Sequence, residues 1–150
     1  MNIKHHTQPH MLEKYSFLWS EARLAIAAVA LFLGGVPPLT LITPPILYGL
    51  GGLVLTLSWI ISGVASAYLL YRWIKSNKML FGKKEAMDTV AFFVSIVSGF
   101  NLGLTGLSGT NPGMRISSNH FIFFVVAVIY LVSAYQLYRR WKTSGEKIFS

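Results

Sequence analysis

The sequence predicts an all-α integral membrane protein with four transmembrane helices, arranged as two hairpins that are parallel repeats. Three observations predict this fold. The 150-residue chain is 53% hydrophobic and 12% charged, which is about half the charged share of a typical soluble domain. The charges are segregated, since none lies within 24–71 and only Arg115 lies within 89–138. Finally, the segment 66–72 recurs as 133–139 with six of seven residues identical.

The first segment, 1–23, is predicted to be a cytoplasmic tail that leads into a short interfacial helix. Its first ten residues are largely polar. Apolar residues then recur at three- and four-residue spacing, which is typical of an amphipathic helix at a membrane surface. These residues are Met11, Leu12, Tyr15, Leu18 and Trp19. A continuous cytoplasmic extension of the first span explains the same pattern equally well.

Four apolar runs follow, and each is close to the length that a membrane-spanning helix needs. A hydrocarbon core of ~30 Å requires about 20 apolar residues in a helix. The runs are 24–42 and 46–71, which form the first hairpin (24–71), and 89–107 and 121–138, which form the second (89–138). None of the runs alternates apolar and polar residues as transmembrane strands do, so helices are favoured over a barrel.

The basic residues predict the orientation of the chain. A basic loop, 72–88, separates the hairpins, and a tail, 139–150, follows the second. Twelve of the Lys and Arg residues lie in the N-terminal segment, this loop and this tail, which share one side of the membrane. Arg115 alone lies on the other side. The positive-inside rule therefore places both termini in the cytoplasm of a cell that carries the protein in its plasma or inner membrane.

The same basic residues predict membrane lipid as a partner, because cations beside span ends attract anionic headgroups. The residues expected to contact headgroups are Arg72, Lys75, Lys83, Lys84, Arg139 and Arg140. A nucleic-acid partner is not expected, since the basic residues adjoin the spans and form no separate basic domain.

The third span contains a ladder of small residues at four-residue spacing. Its members are Ala91, Ser95, Gly99 and Gly103. Such a stripe lets two helix backbones approach closely, and this packing drives helix association in lipid. The ladder predicts close packing either within one protomer or between two, and the second alternative makes a homo-oligomer or a complex with other membrane proteins the expected assembly.

Asn101 lies in the outer half of the same span, where a buried amide needs hydrogen-bond partners. One interpretation is a ligand- or ion-coordinating group, with Ser98 and Thr105 as further polar or pore-lining residues. The favoured alternative is a structural hydrogen bond between helices, worth about 1 kcal/mol.

Catalysis is not expected from the remaining polar residues. The five acidic residues are all assigned to cytoplasmic segments, and the spans are expected to hold no ionisable acid, base or metal ligand. His5, His6 and His10 form a cluster in the N-terminal tail, but without a carboxylate or thiol it predicts no metal site. The chain has no cysteine. We therefore expect no enzyme activity, no cofactor and no metal.

The second half of the chain, about 88–138, resembles the small bacterial membrane proteins of domain-of-unknown-function family 378. The resemblance rests on Asp88, Gly99, Asn101, Gly103 and Gly106. Leu102 departs from the family pattern, which tends to have tryptophan there. The resemblance implies a two-span hairpin and a bacterial origin, and it implies no activity.

Two hypotheses for function follow from the sequence. The first is a non-catalytic structural or accessory subunit that associates with itself or docks on a larger membrane assembly, as the ladder suggests. The alternative is a small oligomeric passive channel, with a pore between protomers that is lined by Ser95, Ser98, Asn101 and Thr105 of the third span.

Overall fold

The computed structural model describes residues 8–149, which form an all-α multi-pass membrane protein. The six helices are α1 (Pro9–Phe32), α2 (Pro38–Ile42), α3 (Tyr48–Lys75), α4 (Ala86–Ser108), α5 (Pro112–Ile116) and α6 (His120–Thr143). A short 3₁₀ turn, Pro45–Leu47, leads into α3. The four long helices α1, α3, α4 and α6 are each long and apolar enough to cross a membrane.

The first helix corrects two predictions. Pro9–Phe32 is one continuous helix, so the prediction of a separate interfacial helix before the first span is wrong and its alternative, a continuous extension, is found. Pro9 occupies the first turn of the helix. Proline is well tolerated there, because the N–H group that it lacks would have no carbonyl partner within the helix. The first span also ends at Phe32 rather than at residue 42, because Gly34 and Gly35 adopt positive φ angles of 74° and 88° and terminate the helix.

The long helices form a ring in which α1 and α4 each lie beside both α3 and α6. The most extensive contact joins α3 to α4, and α1 also contacts α4 across the centre. We call the end of the bundle where α1 and α4 begin the basic end, because most of the Lys and Arg residues lie there. The segments 76–85 and 144–149 close it.

The basic end is filled by aromatic and aliphatic side chains. Phe17, Leu80 and Trp141 are each at most 2% exposed, and the backbone N–H of Phe81 donates to the carbonyl of Ile148 at 2.7 Å. Outside this core, Glu146 accepts from Lys14 at 2.8 Å and from Lys142 at 2.6 Å. These two hydrogen bonds, with that from Lys14 the larger effect, lower the pKa of Glu146 to about 2.

Contacts in the two halves of the chain occur in matching pairs. Trp73 packs on Phe92 with ring centroids 6.0 Å apart, and Trp141 packs on Phe17 at 5.6 Å. Two further pairs match in the same way. Phe81 meets Phe17 edge-on at 6.3 Å, and Phe149 meets Phe92 edge-on at 6.2 Å. The two tryptophans, near the ends of α3 and α6, contact the first helix of the other half, and the two phenylalanines that follow contact the first helix of their own half.

The pairing extends to ions and helix ends. Arg72 at the end of α3 forms an ion pair with Glu13 of α1, and Arg140 at the end of α6 pairs with Asp88 of α4 at 2.8 Å. Gly34 and Gly109, with φ of 74° and 70°, follow α1 and α4. Each is followed by a five-residue helix that starts at proline and ends at isoleucine. The hairpins α1–α3 and α4–α6 are therefore related by an approximate two-fold rotation along the bundle.

Candidate functional site

The ladder of small residues lies inside the protomer, and its two glycines face α3. Ala91 and Ser95 are buried. A Cβ atom on Gly103 would lie 2.7 Å from the Cα of Gly63, and a Cβ on Gly99 would overlap Ser66. Close packing at the ladder was predicted, and of the two alternatives left open the structure shows the one within a single chain.

Asn101 forms the structural hydrogen bonds that were the favoured prediction. Its side-chain nitrogen donates to Oδ1 of Asn111 at 3.0 Å, and its oxygen accepts from the backbone N–H of Gly113 at 2.8 Å. These bonds join α4 to the start of α5. Thr105 donates to the carbonyl oxygen of Asn101 at 2.7 Å.

The basic residues expected at lipid headgroups fall into two groups. Arg72 and Arg140 form ion pairs with acidic residues of the bundle, so their charges are already balanced. The other four are exposed at the basic end: Lys75, Lys83, Lys84 and Arg139. Among these, Lys83 lies 3.8 Å from Glu85. Of the histidine cluster, His10 is exposed in the first turn of α1, and His5 and His6 lie outside the described residues.

The prediction that the spans hold no ionisable residue is wrong. Glu21 and Arg23 lie within α1, and they are 7% and 6% exposed. Glu13 lies at the basic end, where it pairs with Arg72. Arg23 is ten residues farther along α1, which corresponds to about 15 Å at a rise of 1.5 Å per residue. That distance is about half of a ~30 Å hydrocarbon core. The error arose because the predicted first span began after Arg23.

Arg23 is held by neutral acceptors on α4. One terminal nitrogen donates to Oγ of Ser98 at 3.0 Å, and the other donates to the carbonyl and the hydroxyl of Ser95 at 2.8 and 3.3 Å. The Nε of Arg23 has no hydrogen-bond partner within residues 8–149. No carboxylate in that part of the chain forms an ion pair with it, so the groups in direct contact with the guanidinium are uncharged.

A cavity of about 670 Å³ opens beside this guanidinium. It runs between the long helices from Arg23 and Ser62 to Asn111 and Gly113 at the far end. Trp19 on its wall donates to Oγ of Ser62 at 3.0 Å. Most of the wall is apolar, with side chains such as Ile26, Leu31, Leu55, Trp59, Leu102 and Phe123.

Of the third-span residues predicted to line a pore, Ser98, Asn101 and Thr105 line this cavity, whereas Ser95 contacts Arg23. The first three therefore border a space inside one protomer. Sequence reasoning missed Arg23, although its distance from Trp19, four residues along a helix, places both on one face. The sequence would have indicated a contact between Arg23 and the third span only if Pro9–Phe32 had been predicted as one continuous helix.

Fold and site together define a four-helix membrane protein with a cationic interior cavity. Comparison with protein-family models, with curated proteins and with solved structures gives no match for this chain. The resemblance to domain-of-unknown-function family 378 stays a prediction.

Proposed function

We propose that this membrane protein binds an amphipathic anion in its interior cavity, with the acidic head on Arg23 and the apolar part along the cavity wall. The observation that carries the proposal is the buried guanidinium of Arg23, which faces the cavity and meets only uncharged acceptors. The function is binding, with no chemical step assigned to the protein.

The charge argument favours an anion. A charged group is costly to bury unless it is paired, because desolvation in a low-dielectric interior costs several kcal/mol per ion. Ser95 and Ser98 satisfy hydrogen bonds of Arg23 but contribute no negative charge. A carboxylate, phosphate or sulfonate in the cavity would bring a negative charge beside the guanidinium and accept charge-assisted hydrogen bonds from it.

The cavity wall favours an amphiphile over a small inorganic ion. Binding sites for organic molecules are typically clefts of about 300–1,000 Å³ with apolar walls and few polar groups, and a cavity of about 670 Å³ fits this description. An inorganic ion would gain nothing from Ile26, Leu55 or Phe123, whereas an alkyl or isoprenoid chain would bury apolar surface against them.

This proposal changes the weight of the earlier hypotheses. The accessory-subunit hypothesis depended on a ladder that the α3–α4 contact already uses, so assembly stays a prediction without that support. The channel hypothesis placed Ser98, Asn101 and Thr105 between protomers, and their position in one cavity favours a binding site within a single chain.

We also propose that the basic end faces the cytoplasm of a plasma or inner membrane, as the positive-inside rule predicts. The exposed residues Lys75, Lys84 and Arg139 would then contact anionic lipid headgroups. Arg23 would lie near the middle of the bilayer, where an acidic head can reach it only inside the bundle.

Binding of a dansyl-labelled medium-chain fatty acid to protein in zwitterionic nanodiscs tests the proposal. We expect saturable binding by the wild type and at least about tenfold weaker binding by Arg23→Gln, since a hydrogen bond to a charged group contributes about 1.5–3 kcal/mol. Arg23→Lys should keep part of the affinity, because it retains the charge. The matching dansyl-labelled alcohol should bind weakly to all three proteins.

Arg139→Gln provides the matched control, since Arg139 is exposed at the basic end. It should bind the fatty acid like the wild type. Equal affinity of wild type and Arg23→Gln for the fatty acid, with both proteins folded by circular dichroism, would overturn the proposal.

A further inference from the structure

Glu21 lies on a different face of α1 from Arg23 and faces a second, smaller cavity. Successive residues of an α-helix are about 100° apart, so the two side chains diverge by about 200°. Glu21 borders a groove between α1 and α6, while Arg23 points to α4. The carboxyl is 7% exposed, and neither of its oxygens has a hydrogen-bond partner within residues 8–149.

A buried carboxyl without a partner is costly in its ionised form, because it loses its hydration and gains no donor in return. The charge of Arg23, two residues away, is the balancing charge that α1 itself provides. With the cavity empty, the ionised carboxylate and the guanidinium sum to zero within this part of the bundle.

An anion bound at Arg23 changes this balance. The three groups then sum to one negative charge in a low-dielectric interior, where charges interact more strongly than in water. Uptake of one proton by the Glu21 carboxylate restores neutrality, and the proton comes from the aqueous phase. The bound anion keeps its own charge and its contact with Arg23.

Other ionisable groups near these cavities come from α6. Tyr135 and Tyr138 border the groove of Glu21, and Tyr130 borders the larger cavity. The residues that α3 and α4 contribute to the wall of the larger cavity carry hydroxyl, amide, indole or apolar side chains, and the groove of Glu21 is lined by α1 and α6. Glu21 is thus the carboxyl placed to respond to charge at Arg23.

We infer that binding of an anion at Arg23 is linked to the uptake of one proton at Glu21. This inference rests on the proposed function, since it concerns the same cavity. Linkage is reciprocal: if the anion favours the protonated carboxyl, then lower pH must strengthen anion binding. The affinity should rise by up to about tenfold for each pH unit over the range in which Glu21 titrates.

The test uses a dansyl-labelled alkyl sulfonate, whose charge does not change with pH in the working range. We expect the wild type to bind it more tightly as pH falls, and to take up protons from weakly buffered solution on binding. Glu21→Gln imitates the neutral carboxyl, so it should bind at all pH values with the affinity that the wild type reaches at low pH. It should take up no proton.

Controls separate this linkage from other titrations. Glu85→Gln removes a half-exposed carboxyl at the basic end, and Tyr135→Phe and Tyr138→Phe remove the hydroxyls beside the groove. All three variants should keep the pH dependence of the wild type. Binding that is the same at every pH in the wild type, or a pH dependence that persists in Glu21→Gln, would refute the linkage while leaving the binding site intact. Absence of any sulfonate or fatty-acid binding would instead remove the proposed function.

Discussion

Gly63 and Gly103 set the distance between α3 and α4. Their Cα atoms approach so closely that a Cβ atom on either residue would lie within 2.8 Å of the other Cα. Contacts this short let van der Waals attraction act along the whole length of both helices, which is how helices associate where lipid supplies no hydrophobic force. Gly99 extends the same close surface, since a Cβ atom there would overlap Ser66.

Replacing Gly103 with alanine should therefore destabilise the bundle. The added methyl group has backbone rather than a flexible side chain as its neighbour, so α3 and α4 must separate, and overpacking of this kind costs about 1–3 kcal/mol. Unfolding in mixed micelles with increasing SDS measures the free energy of unfolding.

Gly52→Ala is the matched control, since Gly52 lies in α3 with no atom within 4 Å of its Cβ position. This variant should be neutral or slightly stabilised, because alanine has a higher helix propensity than glycine by about 1 kcal/mol. A Gly103→Ala protein as stable as Gly52→Ala would show that the backbones do not touch.

At the same scale, the sequence predicted part of the site. Ser98, Asn101 and Thr105 were recognised as polar residues in an apolar span, because polarity and spacing are visible in the sequence. Arg23 and Glu21 were not, since a charged residue beside an apolar run looks the same whether it borders the membrane or enters it. Only the packing of α1 along α4 distinguishes these cases.

At the scale of elements, α4 begins with a buried carboxylate. Asp88 is fully buried, and it accepts from Gln136 and from Nε of Arg140, each at 2.8 Å. The start of α4 is a favourable place for a negative charge, because the first N–H groups of a helix are unpaired. Asp88 thereby fixes α4 against α6 at the basic end.

Asp88→Ala should lower the free energy of unfolding by about 1.5–3 kcal/mol, the contribution of hydrogen bonds to a charged group. Glu85→Ala is the control, since Glu85 also lies within reach of Arg140, at 3.0 Å, but is half-exposed; such pairs contribute less than about 1 kcal/mol. SDS unfolding of both variants measures the difference, and equal losses would contradict the role given to Asp88.

The long helices were predictable because their apolar runs have no competing structure in a bilayer. Their boundaries were less so, and the five-residue helices α2 and α5 were not predicted at all, since α2 lies inside the run predicted as the first span and α5 lies between two runs. The repeated segment was found, yet the structural match is shifted by one residue: Leu69 corresponds to Leu137, each four residues before its tryptophan and each at most 2% exposed. The register that relates the two hairpins is therefore set by their contacts, and it differs by one residue from the register of the identical residues.

At the scale of the whole molecule, orientation follows from the distribution of charge. The chain lacks cysteine, so a single introduced thiol reports one position without interference. Lys84 and Ser118 are exposed at opposite ends of the bundle, which makes them a suitable pair.

In intact bacterial cells that express the protein, a membrane-impermeant maleimide should label Ser118→Cys readily. Lys84→Cys should be labelled only after the cells are made permeable, because the positive-inside rule retains the basic end in the cytoplasm. The reverse pattern would show that the basic end faces outward, and labelling of both positions from outside would contradict a single orientation.

The two-fold relation between the hairpins has a consequence for Arg23. It follows Phe17 at the same spacing at which Ser98 follows Phe92, so Arg23 and Ser98 occupy corresponding positions, and they contact each other. Positions that correspond and touch lie on the rotation axis. An arginine at both corresponding positions would bring two guanidiniums together at the axis, where they would repel each other. The axis therefore holds a single cation, with a serine of the other hairpin as its hydrogen-bond acceptor.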